Sequence, residues 1–199
     1  MRSHRVLASL AAQLNREAGA PPIPSLFFFT DPERTPDPVA VARRLPRGSA
    51  VVYRHFGDSQ RFRIARRLSA VCRSRGLALL IGADVELARR CRADGVHWPE
   101  HLMPRQRGAE FRFVTAAAHS AAAVSAAATA RLDACVLSPV FATMSRSARS
   151  PLGLFHASQI ARASAIPVIA LGGVRGRRAP RLAGRGFAGL AAVDALAPV

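Results

Sequence analysis

The residues of this chain best suited to chemistry gather around two glycines and one long loop. Ile169-Ala170-Leu171 runs into Gly172-Gly173-Val174, and two consecutive residues without Cβ let backbone N–H groups approach an anion closely. The stretch from Leu137 to Leu154 adds hydroxyls at Thr143 and Ser145 and a cation at Arg146, all donors suited to phosphate. Acid–base chemistry has few candidates. His55, beside Arg54, forms with Tyr53 and Glu100 the most plausible set. His97 is a further catalytic candidate, although a histidine in a barrel mouth also serves as a hydrogen-bonding core residue. His4, His101 and His156 are expected at the surface. The cysteines, Cys72, Cys91 and Cys135, are far apart and form no CxxC pair, so they read as buried free thiols rather than metal ligands.

Positioning these groups requires a scaffold, and the chain alternates short apolar runs with helical stretches. The runs are Ile23 to Phe29, Ala50 to Tyr53, Leu77 to Ile81, Gly95 to Trp98, Phe111 to Thr115, Ala134 to Leu137, Pro167 to Leu171 and Phe187 to Val193. Between them, Ile64, Leu68, Val71 and Cys72 share one face of a helix that Gly76 can stop, Asp84 can cap a second helix, and Ser120 can start an alanine-rich third. Strands buried on both faces and alternating with helices imply a parallel sheet. Eight such units favour a closed (β/α)₈ TIM barrel over an open doubly wound sheet, and no GxGxxG follows the first strand. If the barrel is right, His55 points to the active-site rim. Leu7, Leu10 and Leu14 recur at helical spacing, so residues 1–20 are expected to form an extra N-terminal helix rather than a signal peptide, and residues 21–199 a single barrel domain.

Composition narrows the function classes. With 199 residues, 50% hydrophobic and 21% charged, the chain is neither disordered nor large enough for several domains. Arginine, aspartate or proline interrupts every apolar run before it could span a bilayer, so no membrane role and a cytoplasmic location are expected. The net charge of +17 raises the question of nucleic acid. However, all 29 basic residues are arginine, they are dispersed, and only 6% of residues are aromatic, which argues for compositional drift more than for a binding face.

Three segments carry a resemblance: Ala93-Asp94-Gly95-Val96-His97, the Ser138-Pro139-Val140-Phe141 to Ser150-Pro151-Leu152-Gly153-Leu154 loop, and Pro167 to Gly173. Together they resemble, in matching order from about Leu26 to Val193, the thiamine phosphate synthase family, which includes thiazole tautomerases. That resemblance implies a barrel that joins an aminopyrimidine diphosphate to a thiazole phosphate, with Mg²⁺ assisting loss of pyrophosphate. It also implies that Thr143 and Ser145 contact the thiazole phosphate, that Arg146 stands where a lysine meets pyrophosphate, and that Gly172 and Gly173 form the phosphate loop. His119 and Ser120 match as well.

Several positions depart from the family pattern. The diphosphate-holding Gln-x-Arg-x-Lys becomes Val52 to Phe56, keeping only Arg54. The Asn-Asp of the metal site becomes Gly82-Ala83, and a second metal aspartate falls at Leu102, with Glu100 as its neighbour. No metal ligand is therefore assigned, no cofactor is expected, and a conventional Mg²⁺ mechanism is in question. The usual Val-Ser after strand eight becomes Val193-Asp194, a carboxylate that would repel phosphate unless paired, with Arg175 and Arg177 the nearest arginines in sequence.

The sequence thus points to a divergent thiamine phosphate synthase-like protein that binds a phosphorylated thiazole or pyrimidine. If active it is a transferase, with a tautomerase less favoured. A non-catalytic phosphate-ligand-binding or regulatory family member is the alternative, and an arginine-driven nucleic-acid binder comes last; the expected partners are a phosphorylated small molecule and a second copy of the chain in a homodimer.

Overall fold

A computed structural model of the chain describes residues 2–143 and 150–196. Eight parallel strands close into a barrel in sequence order: β1 (Leu26–Phe29), β2 (Ala50–Tyr53), β3 (Ala78–Gly82), β4 (Gly95–Trp98), β5 (Phe113–Ala118), β6 (Ala134–Leu137), β7 (Val168–Ala170) and β8 (Gly189–Ala192). Closure joins β1 to β8, with Phe28 opposite Ala192. The expected (β/α)₈ barrel is what the chain forms. Most strands are buried at every position, because alternate residues serve two different cores. Phe27, Phe29, Val52, Leu80 and Val136 fill the barrel interior, while Phe28, Val51, Tyr53 and Ile81 point out into the helix layer.

The helix layer follows the caps expected from sequence. In α3 (Arg61–Arg75), after the short α2 (Pro38–Ala42), Ala65, Leu68 and Cys72 are buried, and Gly76 ends the helix at φ 65°. Asp84 accepts from the Leu87 N–H at 2.9 Å to start α4 (Val85–Cys91), and Ser120 accepts from Ala123 at 3.1 Å to start α5 (Ala121–Thr129). After β6 comes α6 (Leu154–Ala163). Among the described residues, the segments after β4, β7 and β8 carry 3₁₀ turns and no α-helix: Glu100–Leu102, Gly176–Leu182 and Asp194–Leu196.

The N-terminal helix α1 (Arg2–Glu17) compensates for the missing helices. It packs against β8, β1 and the flanking 3₁₀ turns, burying Leu7, Ala11 and Leu14. Asn15 Nδ2 donates to the Ala188 carbonyl at 3.3 Å, and Glu17 Oε2 accepts from the Gly184 N–H at 2.7 Å. Five of the eight strands differ from the expected ranges by one to three residues at an end, and β5 continues to Ala118 because Ala116–Ala118 pair with Cys135–Leu137 of β6. Pairing within the closed barrel overrides the weak strand preference of alanine. Among the described residues, no helix is long and apolar enough to cross a membrane.

Candidate functional site

The C-terminal ends of the strands open into a cavity of about 520 Å³, of a size that suits a small ligand. Its wall runs around the whole mouth, from Phe29, Arg34, Arg54, Phe56 and Gly82 through His97, Glu100 and His119 to Ser138, Thr143, Gly172, Gly173 and Asp194. This is the end of the barrel where βα loops deliver function, and where phosphate commonly binds beyond strands seven and eight.

On the β7 side, both glycines are sterically required. Gly172 has φ 92°, and a Cβ there would lie 2.6 Å from Pro139 Cα. Gly173 has φ 63°, and its Cβ would lie 2.5 Å from the Ala142 carbonyl oxygen. The turn is laced to the β6 loop: Val140 and Phe141 donate their N–H groups to the Leu171 and Gly172 carbonyls at 2.8 and 3.0 Å, and Arg178 Nη1 donates to the Ala142 carbonyl at 2.8 Å. Among the described residues the Gly172 and Gly173 N–H groups have no acceptor, which leaves donors beside the cavity. Thr143 joins them on the wall. Ser145 and Arg146 lie outside the described residues.

On the β8 side, the partner of Asp194 is neither Arg175 nor Arg177. It is Arg34, whose Nη1 stands 3.3 Å from both carboxylate oxygens. Barrel closure makes this contact, since the loop after β1 and the turn after β8 meet at the seam. Arg34 also donates through Nη2 to Asp31 Oδ2 at 2.8 Å. Asp31 in turn accepts from the Glu33 and Arg34 N–H groups at 3.1 Å, closing the turn that follows β1. Burial pushes the Asp31 carboxyl up, but hydrogen bonds and charge from Arg34 prevail and hold it below its ordinary value.

Arg54 enters the cavity wall with one of its guanidinium donors engaged. Its Nε donates to the Thr30 carbonyl at 3.1 Å, and the group sits 5.1 Å from the centre of the Phe29 ring. His55 is not brought to the rim. It follows Tyr53 in the strand alternation, so both side chains turn into the outer layer, where their ring centres are 5.0 Å apart. His55 is buried, with Nδ1 3.8 Å from Asp58, and burial lowers its pKa despite that carboxylate. The expected acid–base set of Tyr53, His55 and Glu100 is therefore split, because only Glu100 lines the cavity.

His97 lies on the cavity floor, with Nδ1 2.9 Å from Thr115 Oγ1 and the ring edge-on to Phe29. Burial, reinforced by the Arg54 charge, pushes its pKa down to about 3, so it is neutral near pH 7. His119, which sequence reasoning had not placed among the acid–base candidates, faces the same cavity. Its Nδ1 lies 2.6 Å from the Ser138 carbonyl oxygen. A carbonyl only accepts, so Nδ1 carries the proton and, in the neutral ring, Nε2 is the basic nitrogen. The His119 N–H donates to Glu100 Oε2 at 2.7 Å, which holds that carboxylate at the rim. His101 is exposed but also reaches the mouth.

Where the resemblance implies the family's metal ligands, the side chains present do not suit Mg²⁺. Gly82 and Ala83 carry no coordinating side chain, and Leu102 is apolar and half exposed. The Gly82 carbonyl is taken by Arg61 Nη2 at 2.9 Å. Among the described residues, no group of three or more His, Cys, Asp or Glu side chains could hold a metal.

Comparison with known proteins agrees with this fold. Residues 26–196 match the sequence profile of the family described as Thiamine monophosphate synthase. The thiamine-phosphate synthase of Lactiplantibacillus plantarum is 31% identical over 161 residues, covering 74% of this chain and 73% of that protein. That of Latilactobacillus sakei is 30% identical over 149 residues, covering 70% and 65%. The match to the Synechococcus enzyme, 28% identical over 154 residues, spans 74% of this chain but 44% of the longer relative. Measured against several of these relatives the chain thus spans less than two thirds of their length. In fold, it superposes on thiamine phosphate pyrophosphorylase from Pyrococcus furiosus with a TM-score of 0.74 at 24% identity, covering 85% of each chain. A profile match running from the first barrel strand to the turn after the last places this chain in the thiamine monophosphate synthase family.

Proposed function

We propose that this protein binds a phosphorylated heterocycle of thiamine synthesis or salvage, a thiazole monophosphate, in the mouth of the barrel and without Mg²⁺. The observation that carries the reading is the pair of N–H groups at Gly172 and Gly173 that lack acceptors among the described residues, on the strand-seven loop where barrels commonly hold phosphate. Thr143 adds a hydroxyl to the same wall. The phosphate is received by neutral donors while Arg34 offsets Asp194 at the seam.

Catalysis of the joining reaction is expected to be weak. Ionising a diphosphate leaving group without a metal forfeits several kcal/mol, equivalent to roughly 10²–10⁴ in rate. Arg54 on the cavity wall restores only part of this, because one guanidinium, with its Nε on the Thr30 carbonyl, stands in for a divalent ion. The lack of coordinating groups at Gly82 and Ala83 favours, as the second reading, a family member that binds ligand without forming the C–N bond.

Thermal unfolding with added thiazole phosphate tests the proposal. At a hundred times its Kd the ligand should stabilise the fold by about 2.7 kcal/mol, with the same shift in Mg²⁺ and in chelator. When the aminopyrimidine diphosphate is added, product should form slowly and independently of Mg²⁺. No shift with thiazole phosphate would reject the binding reading, and rapid Mg²⁺-dependent turnover would reject the metal-free one.

A further inference from the structure

The corner of the mouth formed by β2 and β3 lies across the barrel from the Gly172–Gly173 turn, and its residues are mutually adapted. Phe56, just beyond β2, keeps 56% of its surface exposed and lines the cavity. Its ring fits there because position 82 is glycine: a Cβ would lie 3.1 Å from Phe56 Cζ and 3.1 Å from the Tyr53 carbonyl oxygen. The Arg61 guanidinium carbon sits 5.1 Å from the ring centre. That cation is fixed by the Gly82 carbonyl at 2.9 Å and by Asp84 at 3.7 Å. Phe56, Gly82 and Arg61 therefore support one another, and the ring faces the cavity with its backing cation held in place.

A corner built this way suits a diphosphate poorly. Phe56 stands where the resemblance places a lysine, and Gly82-Ala83 where it places Asn-Asp, so the cation and the carboxylate have been replaced together by an apolar surface. An anion here would lose water against the Phe56 ring, with the Arg54 side chain beside Gly82 as its donor in place of the family's metal-bound carboxylate and lysine. An uncharged planar ring would stack on it and bury apolar area on both sides.

We infer that Phe56, set against Gly82 and backed by Arg61, forms a metal-free stacking subsite for an uncharged planar heterocycle and is a specificity-determining residue of this site. The inference rests on the proposed function only in taking the phosphate anchor to lie at the opposite wall.

Calorimetric titration of the full chain with two probes separates the two ideas: inorganic phosphate reports the anchor, and the unphosphorylated aminopyrimidine alcohol reports the subsite. Phe56→Ala should weaken aminopyrimidine binding about 2- to 10-fold, the worth of one aromatic pair, and leave phosphate binding unchanged. Phe56→Trp should retain it. Gly82→Ala, whose Cβ would lie 3.1 Å from the ring and push it by a few tenths of an ångström, should weaken binding in the same direction and by less than Phe56→Ala. Thermal midpoints of the variants show whether each has folded. Failure of native protein to bind the aminopyrimidine, equal affinity in native and Phe56→Ala, or Mg²⁺-dependent binding of inorganic pyrophosphate that survives every Phe56 substitution would overturn the inference. If phosphate fails to bind but the aminopyrimidine still depends on Phe56, the anchor is wrong and the subsite stands.

Discussion

Arg34 is the residue whose removal should change ligand affinity most without touching the phosphate donors. One guanidinium serves two carboxylates, with Nη2 2.8 Å from Asp31 and Nη1 3.3 Å from Asp194. Substituting Arg34→Gln removes a positive charge from the rim and leaves Asp194 facing a bound phosphate unopposed. For unit charges roughly 6 Å apart, Coulomb's law gives ~0.7 kcal/mol in water and ~3 kcal/mol at an effective dielectric of 20. The Asp194 side chain is 53% exposed, so screening keeps the effect toward the lower end. A loss of about 1–2 kcal/mol corresponds to a 5- to 30-fold weaker Kd for thiazole phosphate. Calorimetry on native protein, Arg34→Gln, Asp194→Asn and the double variant forms a complete cycle. The double variant should bind within about threefold of native, because the charge balance is restored. Equal affinities for native and Arg34→Gln would refute the reasoning, since Asp194 would then not face the ligand.

Three further outcomes follow from the described geometry. His97 is buried with a pKa of about 3, below its ordinary value of roughly 6.5, so the unfolded chain takes up the proton first as pH falls. Its contribution is complete above about pH 6.5 and is lost progressively toward pH 3, about 2 kcal/mol between pH 7 and 5; urea unfolding of His97→Gln should show a shallower dependence on pH. Gly172→Ala places a Cβ 2.6 Å from Pro139 at φ 92°, so it should cost roughly 1–3 kcal/mol of stability and lose affinity for phosphate, as read by thermal unfolding and titration. Burial pushes the Cys72 and Cys135 thiols up to about 12 and raises Cys91 as well. A thiol reagent at pH 8 should therefore label none of the three free cysteines in the folded protein and all of them in denaturant.

What could be read from the residues was mostly local. The caps at Asp84 and Ser120, the stop at Gly76 and the strands Ala50–Tyr53, Gly95–Trp98 and Ala134–Leu137 stand where the sequence signals put them, because each depends on neighbours within a few residues. The side each residue faces was less legible. A strand buried on both faces has no polar alternation to orient it, and so Tyr53 and His55 were assigned to the mouth although they lie in the outer layer. The counter-charge of Asp194 was invisible for a different reason: its partner Arg34 is 160 residues away, and only the β1–β8 closure brings them together. The same holds for Glu100 with His119, on segments after β4 and β5, and for Phe56 beyond β2 with Gly82 at the end of β3. Barrel topology converts distant positions into one rim, and no local pattern records that.

The most direct test of the account is a crystal structure of the protein soaked with thiazole phosphate in chelator. The account predicts the phosphate within hydrogen-bond distance of the Gly172 and Gly173 N–H groups, with Arg34 still bridging Asp31 and Asp194. A phosphate bound at another part of the mouth, or density that appears only when Mg²⁺ is supplied, would contradict it.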